Sequence, residues 1–435
     1  MIDPAAYRDR FPILDTCTYL INHSLAAMPA AAEENLREYA RMWRERGIRA
    51  WAEGWWDMPV TVGDQLGRIL GAPPGSIVMH QNVTVAEAIV LSCFTGSKLG
   101  RKPRGERNRV VYEEANFPSV RYLYQAQAEL EVVAVENDAA VADAIDERTL
   151  LVPISHVLFR NGEIQDIEPI IGRAHEAGAH VVLDCYQSAG VVPFDLTGLG
   201  VDFAVGGSVK WLCGGPGAGW LYVRPEVAER LEPSFVGWQA HARPFAFEPE
   251  LEYAAGARRF LTGTPNVPAL YAATAGYDVI EEVGVERIRE RSLSLTQLLI
   301  DLCDEAGLGI TSPRDAGRRG GTVTVSTPDH AACHRELGER GVICDFRPDS
   351  GLQASAAKPS TRGRKDRGGL QASAAKPSTR GRKDRGACGA AGEGGIRLGP
   401  HFFNTEDEVR RAVSELADIV ASGSYERHVG VAARF

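Results

Sequence analysis

An α/β architecture with a mainly parallel sheet is predicted by three observations. Short apolar runs alternate with helical stretches from Ser76 to about Arg224. The runs are rich in β-branched residues and bounded by glycine or polar residues, as buried strands of a parallel sheet are. At 435 residues the chain is long enough for two domains with their own cores.

In chain order, residues 1–56 read as a helical, aromatic-rich arm packed on the main body. A large domain is expected over 57–285, with a seven-stranded sheet. Its strands fall at 77–79, 109–112, 131–135, 150–155, 181–184, 201–205 and 220–223, with helices between them such as 84–94 and 168–177. From about Ala254 a long helical stretch leads out of it. A smaller α+β C-terminal domain, 286–435, follows with fewer strands, one of them at 321–325.

One segment breaks this pattern. GLQASAAKPSTRGRKDRG runs from Gly351 to Gly368 and again, unchanged, from Gly369 to Gly386. The first copy sets Lys358, Arg362, Arg364, Lys365 and Arg367 against Asp366, so the two copies together contribute about +8. With few large apolar residues, such a stretch cannot bury enough surface to offset the ordering of its backbone. It reads as a disordered insertion over 351–394 from a tandem duplication. An anion-binding tail is the alternative, without aromatics for stacking on nucleic acid.

The chain carries 57 acidic and 48 basic residues, a net charge of −9. That balance argues against nucleic acid or an anionic membrane as the main partner. No apolar run approaches the roughly 18 residues of a membrane span. The first residues, MIDPAAYRDRFPILD, show no secretory signal. Cysteines at 17, 93, 185, 213, 303, 333, 344 and 388 form no Cys-x-x-Cys pair. A reduced, cytoplasmic protein without a metal site is expected.

The chemistry concentrates between His180 and Gly219. Val181-Val182-Leu183 ends in Asp184, and the run at 201–205 is followed by Gly206-Gly207-Ser208-Val209 and then Lys210. Functional side chains of open α/β sheets lie just past the carboxyl ends of strands, where both residues fall. Taken singly, Asp184 reads as a cap or turn residue and Lys210 as solvated surface. Yet Lys210 has small and apolar neighbours, and Gly214-Gly215-Pro216-Gly217 allows close backbone approach. The two are either a structural ion pair or, as this context favours, the Schiff-base lysine and pyridinium partner that pyridoxal 5′-phosphate requires.

Three other positions fit that chemistry. Thr84 opens a helix after the strand at 77–79, and a helix N-terminus with a nearby hydroxyl suits a phosphate, although threonine is also a common cap. Phe117, in Asn116-Phe117-Pro118-Ser119, either stacks on a flat cofactor or packs in its loop. Arg397, within Ile396-Arg397-Leu398-Gly399-Pro400, calls for an anionic partner, which a substrate carboxylate or a structural carboxylate would supply.

Together these motifs resemble the class V aminotransferase superfamily of fold-type-I pyridoxal phosphate enzymes, and within it the kynureninase-like branch. The resemblance covers nearly the whole chain except the duplicated insertion. It implies Lys210 as the catalytic lysine, with the cofactor held by Val83 and Thr84 at the phosphate, Phe117 on the ring, and Asp184, Gln187 and Ser208 around it. Val236-Gly237-Trp238 looks like the branch's Gly-Trp segment, placing Trp238 at the cofactor and His241 near the substrate. Gly263-Thr264-Pro265-Asn266 resembles the segment that reaches the neighbouring subunit's cofactor, which implies a homodimer with shared active sites. Arg397 matches the arginine for the substrate α-carboxylate, with Asn22 also at the substrate, and Asn404-Thr405-Glu406-Asp407-Glu408 looks like the usual entry to a C-terminal helix. The branch usually carries histidine where this chain has Gln187, and tyrosine where it has Val209.

The resemblance therefore implies an enzyme acting on a small α-amino acid through an external aldimine, with Lys210 moving the Cα proton. Transamination is the simplest outcome. The alternatives are kynureninase-like hydrolysis, C–S cleavage of the cysteine desulfurase kind with Cys388 as the sulfur acceptor, and a non-catalytic protein that retains the fold.

Overall fold

The computed structural model describes residues 2–94, 107–349 and 394–431. Seven strands form one sheet: β1 (Ile77–His80), β2 (Arg109–Glu113), β3 (Glu131–Val135), β4 (Thr149–Ser155), β5 (His180–Asp184), β6 (Phe203–Gly207) and β7 (Gly219–Val223). Their spatial order is β1-β7-β6-β5-β4-β2-β3. Pairing is parallel from β6 through to β3, while β7 runs antiparallel to both neighbours. The expected α/β fold with a mainly parallel sheet is present.

The β-branched runs form strands because both faces of the sheet are covered. Val181 and Leu183 of β5 point into one apolar cluster and Val182 into the other; in β6, Ala204 joins the first, Phe203 and Val205 the second. This is the two-residue alternation of a strand buried on both sides.

β6 begins and ends two residues later than the run at 201–205 suggested. Asp202 stays outside it as a polar anchor, accepting from Val181 N at 2.9 Å and Arg224 Nη2 at 2.7 Å. Gly206 and Gly207 are strand rather than terminator because of close packing. A Cβ on Gly206 would lie 2.3 Å from the Trp220 ring, and one on Gly207 2.6 Å from the Tyr186 ring. Lys210 consequently follows the strand end by three residues.

The helix expected at 84–94 spans Val83–Ser92, capped by Asn82, whose side chain accepts from Val85 N at 3.1 Å. The long helical stretch after Ala254 resolves into Gly256–Phe260, Val267–Val283 and Val285–Glu305. Gly284, at φ +84°, separates the last two. A second sheet is antiparallel, with β8 (Val323–Val325), β9 (Asp345–Arg347) and β10 (Gly395–Leu398) in the order β9-β10-β8. It shares an apolar core with Val285–Glu305 and Glu406–Ser422 through Leu295, Leu299, Ile396 and Leu416. The last helix opens with a reciprocal capping box between Thr405 and Glu408.

The N-terminal segment does more than form a helical arm. Ala30–Arg46 is helical, but Thr18–Tyr19 pairs in parallel with Val342–Ile343, and Leu20 enters the core of the small sheet. The duplicated insertion and Cys388 lie outside the described residues. Gly394, which the expected insertion included, instead closes onto the segment before it: Gly394 N donates to Asp349 Oδ1 at 2.8 Å, and β9 and β10 are paired neighbours. Among the described residues, no helix is long and apolar enough to cross a membrane.

Candidate active site

β5 and β6 are parallel neighbours, so their carboxyl ends bring Asp184 and the Lys210 loop to the same edge of the sheet. There a cavity of about 280 Å³ opens, near the lower end of the roughly 300–1,000 Å³ usual for small-molecule sites. Its lining includes Val83, Thr84, Phe117, Asp184, Gln187 and Lys210, six of the positions expected at the site. Lys210 Nζ lies 4.3 Å from the Tyr186 ring centre and 5.8 Å from that of Phe117. Burial, then the charge of Arg397, pulls the Lys210 ammonium down to about 7, against the attraction of Asp184.

Asp184 Oδ1 accepts from Tyr186 N at 2.8 Å, and burial pushes its carboxyl above the ordinary range. Such a carboxyl calls for a cation. Thr84 sits in the first turn of Val83–Ser92, whose N-terminus supplies backbone N–H groups and the positive end of the helix dipole. An amine, a buried carboxyl, an aromatic ring and a helix N-terminus around one cavity fit a phosphorylated pyridine aldehyde.

Gln187 locks the floor: Nε2 donates to His23 O at 3.1 Å, and Oε1 accepts from Trp211 Nε1 at 3.2 Å. His23, Ser24, Tyr186, Phe159 and Arg347 also line the cavity and were not singled out from the sequence. Asn22-His23-Ser24 follows an apolar run, and Arg347 follows another. Strand-end polarity was thus the available signal for these, and adjacency to Asp184 for Tyr186. Nothing local marks Phe159.

The far wall is a charge cluster. Arg397 is 1% exposed; Nε donates to Asp345 Oδ1 at 2.7 Å, Nη2 to Asp345 Oδ2, and Nη1 to Phe159 O. His23 Nε2 lies 2.9 Å from Asp345 Oδ1. Burial opposes ionisation of Asp345, but His23 and Arg397 hold its carboxyl well below the usual range. Burial in turn pulls His23 down to about 4. Arg397 does not line the cavity; Arg347 does.

Other expected positions lie elsewhere. Asn22 is buried, donating to Gly399 O at 2.9 Å and accepting from Ala27 N at 3.3 Å. Ser208 donates to Ala218 O at 2.6 Å and accepts from the Tyr277 hydroxyl at 2.5 Å. Trp238 and Thr264 are exposed, and His241 Nε2 is 3.1 Å from Glu250 O. Gln239 N donates to Thr262 O at 3.1 Å, which draws the Trp238 and Thr264 segments together on one surface. None of these five lines the Lys210 cavity. As to metals, Glu336, Glu339 and His428 come within 4.8 Å of one another, but Arg427 already pairs with both carboxylates.

The comparisons with known proteins agree with this geometry. The family described as Aminotransferase class-V matches residues 22–380. Kynureninase of Pseudomonas fluorescens is 32% identical over 355 residues, covering 79% of this chain and 85% of that protein. An apo cysteine desulfurase from Thermococcus onnurineus NA1 superposes with a TM-score of 0.75 at 21% identity, over 97% of this chain and 99% of the other. A C-DES variant with glycine covalently linked to its pyridoxal phosphate cofactor superposes with a TM-score of 0.76 at 19% identity, over 96% and 100%. These structural likenesses share the fold; the family match and the kynureninase identity carry the assignment. The chain belongs to the class V aminotransferase family, in its kynureninase-like branch, and is a pyridoxal 5′-phosphate enzyme.

Proposed function

We propose that this enzyme transfers the amino group of a small α-amino acid, with Lys210 as its single proton carrier. One observation carries this reading. Lys210 is the cavity-lining group held near neutrality, at about 7, while burial sends Tyr186 up to about 12 and His23 down to about 4. Amino transfer needs one base that takes a proton from Cα and returns it to the carbon on the other side of the amino nitrogen.

When bound, pyridoxal 5′-phosphate supplies an aldehyde carbon for the substrate nitrogen and a ring that accepts the electron pair left at Cα. Thr84 and the helix N-terminus at Val83 hold the phosphate. Phe117 covers the ring, and Asp184 keeps the ring nitrogen protonated, gaining the cation its buried carboxyl calls for. Lys210, half-buried and deprotonated above about pH 7, would serve as the base for the Cα proton. Trp238 packs against exposed Phe245 and Phe247, and this apolar face supports pairing with a second copy, which would bring Thr264 to the partner's cofactor.

The test is incubation of the holoenzyme with a panel of amino acids. The cofactor extracted afterwards is assayed for its amine form, and the solution for the matching 2-oxo acid in equal amount. Absence of both with every amino acid would sink the reading. A second reading, hydrolytic Cβ–Cγ cleavage, is favoured by the 32% identity to a kynureninase. Anthranilate release from L-kynurenine would establish it instead.

A further inference from the structure

Behind the cavity lie two acidic groups that the chemistry described so far leaves unused. Glu87 is 1% exposed and Tyr124 is fully buried. Both carboxyl oxygens of Glu87 and the Tyr124 hydroxyl lack a regular hydrogen-bond partner among the described residues. Unpaired polar groups in a core oppose folding, so a reason for keeping them is to be sought in function. Helix register shows where they stand. Val83 and Thr84 line the cavity from the first turn of Val83–Ser92, and Glu87 follows them by four and three residues, on the same face one turn deeper. Val120 lines the cavity from Pro118–Gln125, and Tyr124 follows it by four. The two helices pack on one another within the apolar cluster of Val90, Val120 and Val205.

The groups that reach Glu87 there are Asp184 and Tyr124, and neither is a cation. Burial, then the charge of Asp184, holds the Glu87 carboxyl well above the ordinary range. Burial, then Glu87, does the same to the Tyr124 hydroxyl. Two carboxyls within reach of each other in an apolar setting carry one negative charge between them. Asp184 is the one suited to bear it, because Tyr186 N and the Lys210 ammonium both favour its anion. No such group attends Glu87 among the described residues.

We propose that Glu87 is a positioning residue for the cofactor ring: as a neutral acid behind Asp184, it keeps the negative charge on Asp184 and thereby the proton on the ring nitrogen. This rests on the reading that Asp184 meets that nitrogen. Burial alone would favour a neutral Asp184, and the O–H dipole of a neutral acid behind it offsets that preference. The site thus holds its second carboxyl unpaired so that the first stays ionised.

The test titrates the full-length apoprotein with two probes, pyridoxal 5′-phosphate and its 1-deaza analogue, in which C–H replaces the ring nitrogen. Binding is read by absorbance. Glu87→Met, an unbranched apolar side chain of similar length, should weaken pyridoxal 5′-phosphate about tenfold and leave the analogue unchanged. The apoprotein melting temperature should hold or rise, since an unpaired carboxyl has left the core. Glu87→Gln, which is neutral and keeps a donor, should bind both probes within about threefold of the parent. Equal losses of both probes in Glu87→Met, or no loss, would overturn the proposal. So would a Glu87→Met chain that melts early or does not fold, because Glu87 would then serve the fold, and so would a Glu87→Gln loss as large as that of Glu87→Met. Asp184→Ala checks the underlying reading separately: it too should spare the analogue, and equal losses there would take Asp184 away from the ring nitrogen. No substrate is added, so a failure of amino transfer leaves these outcomes unchanged.

Discussion

The floor and the far wall of the cavity are both rich in charge, yet they are built oppositely. On the floor, buried Asp184 and half-buried Lys210 have little to satisfy them: one backbone N–H for the carboxyl and two aromatic faces beside the amine. On the wall, Asp345 is saturated by Arg397, His23 and Arg347. The floor's groups are displaced toward neutrality, Asp184 upward and Lys210 downward. The wall's carboxylate is driven the other way. Under-paired polarity marks where a cofactor and a moving proton belong; fully paired polarity marks a scaffold.

The comparison breaks most visibly at Lys210. Replacing it with alanine should lower amino transfer by about 10³-fold or more, since base and cofactor attachment vanish together. Turnover within tenfold of the parent enzyme would remove the floor from the chemistry.

Stability should separate the two carboxylates next. Asp345→Asn leaves Arg397 buried without its partner and should cost about 3–5 kcal/mol in urea unfolding of the apoprotein. Asp184→Asn, on the under-paired floor, should change that stability by no more than about 1 kcal/mol while weakening cofactor retention. Equal losses would erase the distinction.

The pH dependence sharpens the floor further. Only the unprotonated Lys210 amine attacks an aldehyde, so cofactor capture by the apoprotein should rise about tenfold per pH unit below about 7 and level off above. The linkage has a definite sign. A folded pKa of about 7 lies below the ordinary lysine value, so the unfolded chain binds more protons between the two, and apoprotein stability should increase with pH across that window. Lys210→Met should flatten both profiles, and a capture rate indifferent to pH between 5 and 9 would contradict the assignment. The smallest effect is expected at Gln187, whose removal as Gln187→Ala loses two buried hydrogen bonds and should cost about 1–2 kcal/mol by thermal denaturation.

The large sheet was legible because each of its strands is a local event: a short β-branched run closed by glycine or a polar residue. Asp184 and Lys210 followed from those strand ends, and Thr84 and Phe117 from strand exits. The two-residue shift of β6 was not legible. Gly206 and Gly207 read as a terminator, and only the rings of Trp220 and Tyr186 pressed against them make them strand. The wall was less legible still, since His23 lies 322 positions before Asp345 and Arg397 52 after it, and each reads alone as an unremarkable polar residue.

The sequence by itself determined the α/β fold class and the floor of the site. Both depend on periodicity and on residues a few positions apart, whose relation the chain's own geometry fixes. Which arginine faces the cavity was decided only in the folded molecule. Arg347 and Arg397 compete for one carboxylate, and the pairing of β9 with β10, Asp345 opposite Arg397, awards it to Arg397 and leaves Arg347 at the cavity.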